Sequence, residues 1–146
     1  MPADKSFEHS VPFRQVPVNG RTIWLPLVTV SLIQADGNRV TLPLLFDTGA
    51  SKVTLRHDLY PILGVAAWDA GSPIDMNTAG GAAPVTAYEY RATLEFLGKS
   101  ADCPILLTPL PQNPLYVGLF GREGMFDEFG FGFWESTHEL HVTTTP

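Results

Sequence analysis

From Arg21 to Phe46 apolar and polar residues alternate with the two-residue period of a half-buried strand. Val28, Val30 and Leu32 share one face, with Thr29 and Ser31 on the other. Asp36-Gly37 predicts a tight hairpin turn, and the return strand places Val40, Leu42, Leu44 and Phe46 on one side. That strand runs directly into Asp47. Upstream, a flexible arm leads to a short strand through Val16 and Val18 and a turn at Asn19-Gly20. The expected organisation is an arm and strand over residues 1–20, followed by one domain over 21–146.

Downstream the pattern stays strand-like. After Lys52-Val53-Thr54-Leu55, Arg56 to Gly64 predicts one or two helical turns limited by Pro61. A strand is expected at Pro73 to Asn77, then a small-residue segment from Thr78 to Pro84. In the next strand Tyr88, Tyr90, Ala92, Leu94 and Phe96 alternate with Glu89, Arg91, Thr93 and Glu95. Leu97-Gly98-Lys99 turns the chain, and Cys103 to Leu107 forms a short apolar strand. A proline-rich loop, Pro109 to Pro114, precedes a buried strand over Val117 to Gly121 and a short helix within Arg122 to Phe129. Phe129, Phe131 and Phe133 then alternate, Ser136-Thr137 turns, and Leu140 and Val142 alternate on the way out. The expected class is all-β with one or two short helices.

Composition narrows the possible partners. The chain has 146 residues, 45% hydrophobic and 16% charged, which suits one folded domain rather than two lobes or a disordered chain. A net charge of −6, with Lys and Arg scattered singly, argues against nucleic acid. The apolar run Ile23 to Ile33 is too short to span a bilayer and is interrupted by Pro26, so no membrane partner is expected. The polar start lacks a signal core, and Cys103 is the one cysteine, so a soluble, cytoplasmic protein is expected in preference to a secreted one.

The run Leu44-Leu45-Phe46-Asp47-Thr48-Gly49-Ala50-Ser51 carries the candidate chemistry. A carboxylate at the end of an apolar strand loses hydration unless hydrogen bonds or a proton-sharing neighbour compensate. A lone Asp-Thr-Gly is commonly only a turn, in which Asp caps the next segment. His138 and His141 flank Glu139 and Leu140, but residues three apart on a strand face opposite sides, so no shared metal is expected. No cofactor fingerprint is present, since Gly130-Phe131-Gly132 lacks a third glycine and a following helix. Cys103, in an apolar run, reads as a buried spectator thiol.

The Asp47-Thr48-Gly49-Ala50-Ser51 loop resembles the active-site loop of aspartic proteases. Leu119-Phe120-Gly121-Arg122 is similar to the second signature of the retropepsin-like (retroviral-type) family, and Ala79-Gly80-Gly81 sits where that family places its flap. The C-terminal pattern, a short helix and then Phe-rich strands, is similar to bacterial members, and the resemblance spans roughly residues 21–142. It implies a closed, single-lobed β-barrel of the acid-protease fold and an aspartic endopeptidase acting on peptides or proteins. It also implies that Asp47 is catalytic, that Thr48, Gly49 and Ala50 support it, and that a homodimer supplies the second aspartate. Two departures stand out. Retroviral enzymes carry an acid where this chain has Ser51, leaving Arg122 without its usual partner. The polar arm and the C-terminal hairpin also replace termini that elsewhere join the two subunits. Two rival readings remain: an inactive retropepsin-like module for peptide binding or dimerisation, and a monomeric barrel with a chance motif.

Overall fold

Twelve strands and two 3₁₀ helices account for most of the computed structural model, which describes residues 7–77 and 83–145. The strands are β1 (His9–Pro12), β2 (Arg14–Val18), β3 (Arg21–Leu25), β4 (Leu27–Ile33), β5 (Arg39–Phe46) and β6 (Val53–Arg56). They continue as β7 (Ser72–Met76), β8 (Val85–Phe96), β9 (Lys99–Thr108), β10 (Gly118–Phe120), β11 (Gly130–Trp134) and β12 (Glu139–Thr143). The 3₁₀ helices cover His57–Leu63 and Met125–Glu128.

The main sheet runs β4-β5-β10-β6-β9-β8-β7, and β4 also pairs with β8, so the sheet returns on itself. The length of β8 permits the closure. Its first residues pair with β7, from Val85 against Met76 to Glu89 against Ser72. Further along the same strand Thr93, Leu94 and Glu95 pair with Ile33, Leu32 and Ser31 of β4. Most pairs are antiparallel, but β5–β10 and β6–β9 are parallel, which makes the sheet mixed.

The alternation in sequence becomes the inside of this closed sheet. Val28, Val30 and Leu32 of β4 and Leu42, Leu44 and Phe46 of β5 are buried, as are Leu94, Phe96, Ile105, Leu107 and Phe120. Each such side chain contributes about 1.5–3 kcal/mol on leaving water. Phe46 also packs against Phe126 and Phe131, with ring centroids 5.0 and 4.8 Å away. The residue before Asp47 is therefore fixed from two directions.

Local signals fall where the pattern places them. Asn19 and Gly20 have φ of 49° and 75°, matching the primed turn that suits a two-residue hairpin between β2 and β3. Pro61 lies inside the first helix, which closes as a 3₁₀ segment and ends at Gly64. β9 extends beyond the expected Cys103 to Leu107, because exposed Ser100 and Asp102 continue its alternation towards solvent. β1 pairs with β12 and β12 with β11, so the ends of the described chain share a three-stranded sheet.

Candidate functional site

β5 delivers Asp47 to the edge of a loop that is held from beneath. β10 runs parallel to β5, with Leu119 beside Leu45 and Phe120 beside Phe46, and the Asp47 N–H donates to the Phe120 carbonyl at 3.2 Å. The loop over residues 47–52 crosses the end of β10 and returns as β6 on its other side, where Thr54 pairs with Leu119. β10 is thus wedged between two strands consecutive in sequence. Two further bonds fasten the loop: Arg122 N–H to the Ala50 carbonyl at 3.1 Å, and Glu123 N–H to the Ser51 carbonyl at 2.8 Å.

Glycine is required in this wedge by close approach. A β-carbon on Gly121 would overlap the backbone of Lys52, and one on Gly118 would overlap the Thr54 carbonyl. The two sequence signatures, 74 residues apart from Asp47 to Gly121, therefore pack as one unit.

Around the carboxylate, the Gly49 N–H donates to Asp47 Oδ1 at 2.9 Å and the Ala50 N–H to the Asp47 carbonyl at 3.3 Å. A β-carbon at Gly49 would stand 3.2 Å from Oδ1, a tight contact. Asp47 and Ala50 are half-buried, whereas Thr48, Gly49 and Ser51 are exposed. The Arg122 side chain is also exposed, and among the described residues it forms no ion pair. The expected flap residues Ala79, Gly80 and Gly81 lie outside the described residues.

A groove of about 560 Å³ opens beside Asp47, walled by Lys52, Ile74, Met76, Leu106 and Leu119. Ile74 and Met76 come from β7, so the β7–β8 pair forms one side of the groove and the loop the other. Lys52 Nζ meets Glu89 Oε1 at 2.6 Å, with the two side chains only 20% and 27% exposed, and so ties the loop to β8. Sequence reasoning did not single out Lys52, Ile74 or Met76. For Ile74 and Met76 the available signal was their alternation with Pro73 and Asp75, which places both on one face of β7.

This arrangement holds the Asp47 carboxylate, oriented by an amide, in a groove that the exposed Asp75 of β7 also lines. Such a group can accept a proton from a water or, once protonated, donate one to a carbonyl oxygen. Among the described residues no cluster of three or more His, Cys, Asp and Glu is placed to hold a metal ion, and no helix is long and apolar enough to cross a membrane. No protein-family model matches the chain, and no curated protein matches it.

Proposed function

We propose that this chain is an aspartic endopeptidase with a retropepsin-like single-lobed barrel. In this reading it acts as a homodimer whose two Asp47 carboxylates form the catalytic dyad. The observation that carries the reading is the Asp47 carboxylate itself, held at 2.9 Å by the Gly49 N–H beside the groove, on a loop clamped to β10. The closed sheet and the packing of the second signature under the first support it as well.

The chemistry follows from pairing like charges. Two carboxylates brought together across a two-fold axis cannot both stay ionised, so they share one proton. The ionised member takes a proton from water as its oxygen attacks the scissile carbonyl carbon. The protonated member gives its proton to the carbonyl oxygen, forming a neutral gem-diol. Collapse of that intermediate breaks the C–N bond, with a proton returned to the leaving amine. The groove suits an extended peptide, with Ile74, Met76 and Leu119 favouring apolar side chains near the cut.

The test is digestion of an unbiased peptide mixture by wild type and Asp47→Asn from acidic to neutral pH. Cuts made only by the wild type are expected, because an amide cannot shuttle the proton. The same cuts from a verified Asp47→Asn protein would overturn the assignment.

A further inference from the structure

β2 and β3 form a hairpin that pairs with no other strand among the described residues. Of its ten strand residues only Val16 is buried and only Leu25 is half-buried. A two-stranded ribbon alone is marginal in water, so this one needs cover. Val16 faces Ile23 and Val18 faces Arg21 across the pair, which puts all four on one side of the ribbon, with Arg14 and Leu25 at its base. On that side Val18 and Ile23 are 41% and 38% exposed. On the opposite side Trp24 already stacks on His138 of its own chain, with centroids 4.2 Å apart.

The end of the hairpin is bonded to the strand that carries Asp47. Pro26 follows β3, and its carbonyl accepts the Phe46 N–H at 2.9 Å, one residue before Asp47. Beyond the Asp47 loop lies an open hollow of about 440 Å³ lined by Ser51, Arg122, Glu123, Phe126 and Asp127. The hairpin bears two arginines, and the hollow bears two carboxylates beside the exposed Arg122, which leaves it net acidic by one charge. Arg14 and Arg21 are exposed on the hairpin, Glu123 and Asp127 are exposed on the hollow, and none of the four forms an ion pair among the described residues.

We infer that the β2–β3 hairpin is a dimerisation arm whose occupant is a second copy of this chain. Each arm lies across the acidic hollow of the other copy, Arg14 and Arg21 meet Glu123 and Asp127, and Val18 and Ile23 are covered. This rests on the homodimeric reading of the site, in which each chain contributes its single Asp47. In a C2 dimer any contact between one arm and its partner's hollow is made twice. The complementarity also answers a physical need, because each copy has a net charge of −6 and two acidic bodies repel.

The test is sedimentation equilibrium of the full chain and three variants, each shown by circular dichroism to be folded. Arg14→Glu with Arg21→Glu, and separately Glu123→Arg with Asp127→Arg, should each weaken the dimer by about tenfold or more, since every reversal acts twice. Combining all four substitutions should restore most of the lost affinity. Ile23→Ser should weaken the dimer at any salt concentration, whereas the effect of the reversals should shrink at high salt. A wild-type dimer unaffected by either reversal, or one that the combined variant fails to restore, overturns the arm and leaves the homodimeric reading intact. A wild type that stays monomeric at every concentration overturns both.

Discussion

At the residue scale, the site depends on groups that are small as much as on the acid. Gly121 carries no chemistry, yet any side chain there would meet the Lys52 backbone. Backbone cannot move aside as a flexible side chain can. Gly121→Ala should therefore cost the upper end of the roughly 1–3 kcal/mol typical of overpacking, read from the urea midpoint at an unchanged m-value. Gly118→Ala should behave alike, because its β-carbon would overlap the Thr54 carbonyl on the same wedge. A loss below about 0.5 kcal/mol, the range of ordinary surface changes, would show that the loop and β10 are not locked together. The Leu-Phe-Gly-Arg signature was legible in sequence, but only as a resemblance. Its physical reason lies in contact between Gly121 and a loop far away in the chain, which no local period encodes.

At the element scale, local alternation and turn residues read β4, β5, β8 and the β11–β12 hairpin correctly, because sequence neighbours there are also spatial partners. The parallel pairs β5–β10 and β6–β9 were not legible, nor was the pairing of β1 with β12, since each joins distant segments. One residue reinforces the last of these. Glu8 accepts the Thr144 N–H at 2.7 Å and the hydroxyls of Thr144, Thr145 and Thr143 at 2.8, 3.1 and 3.3 Å. These bonds, the Thr144 N–H first among them, lower its pKa from 4.5 to about 2. A carboxylate with a lowered folded pKa stabilises in full above its unfolded value and loses that contribution as pH falls through its folded one. The melting-temperature difference between wild type and Glu8→Gln should thus be greatest above pH 4.5 and shrink as pH falls towards 2. Because Glu8 is exposed, added salt should also reduce it. A difference that did not vary from neutral pH to pH 2 would mean that the ionised clamp adds nothing.

At the scale of the whole molecule, the returning sheet makes one core of strands whose pairing is far apart in sequence, and Cys103 reports on it. The residue sits on β9 with no exposed surface, opposite Ala92 of β8 and against the Gly124 backbone. Burial pushes its thiol pKa from 9.0 up to about 11, with the Asp102 carboxylate adding to the shift. Sequence alone read this thiol as a buried spectator, because Pro104 to Leu107 extends the apolar run beside it; the strand closure that seals it was beyond that reading. Reaction with a thiol reagent needs the thiolate and access to it, and the native fold withholds both. Labelling of Cys103 in the native protein should therefore be slow and should rise with urea in step with global unfolding. The same burial sets a sign at alkaline pH. Between 9 and about 11 the unfolded chain releases the thiol proton while the folded chain keeps it, so wild type should lose stability with rising pH relative to Cys103→Ala. Fast labelling at low urea, with a slope well below the equilibrium m-value, would show that β8 and β9 part locally and that the sheet does not open as one cooperative unit.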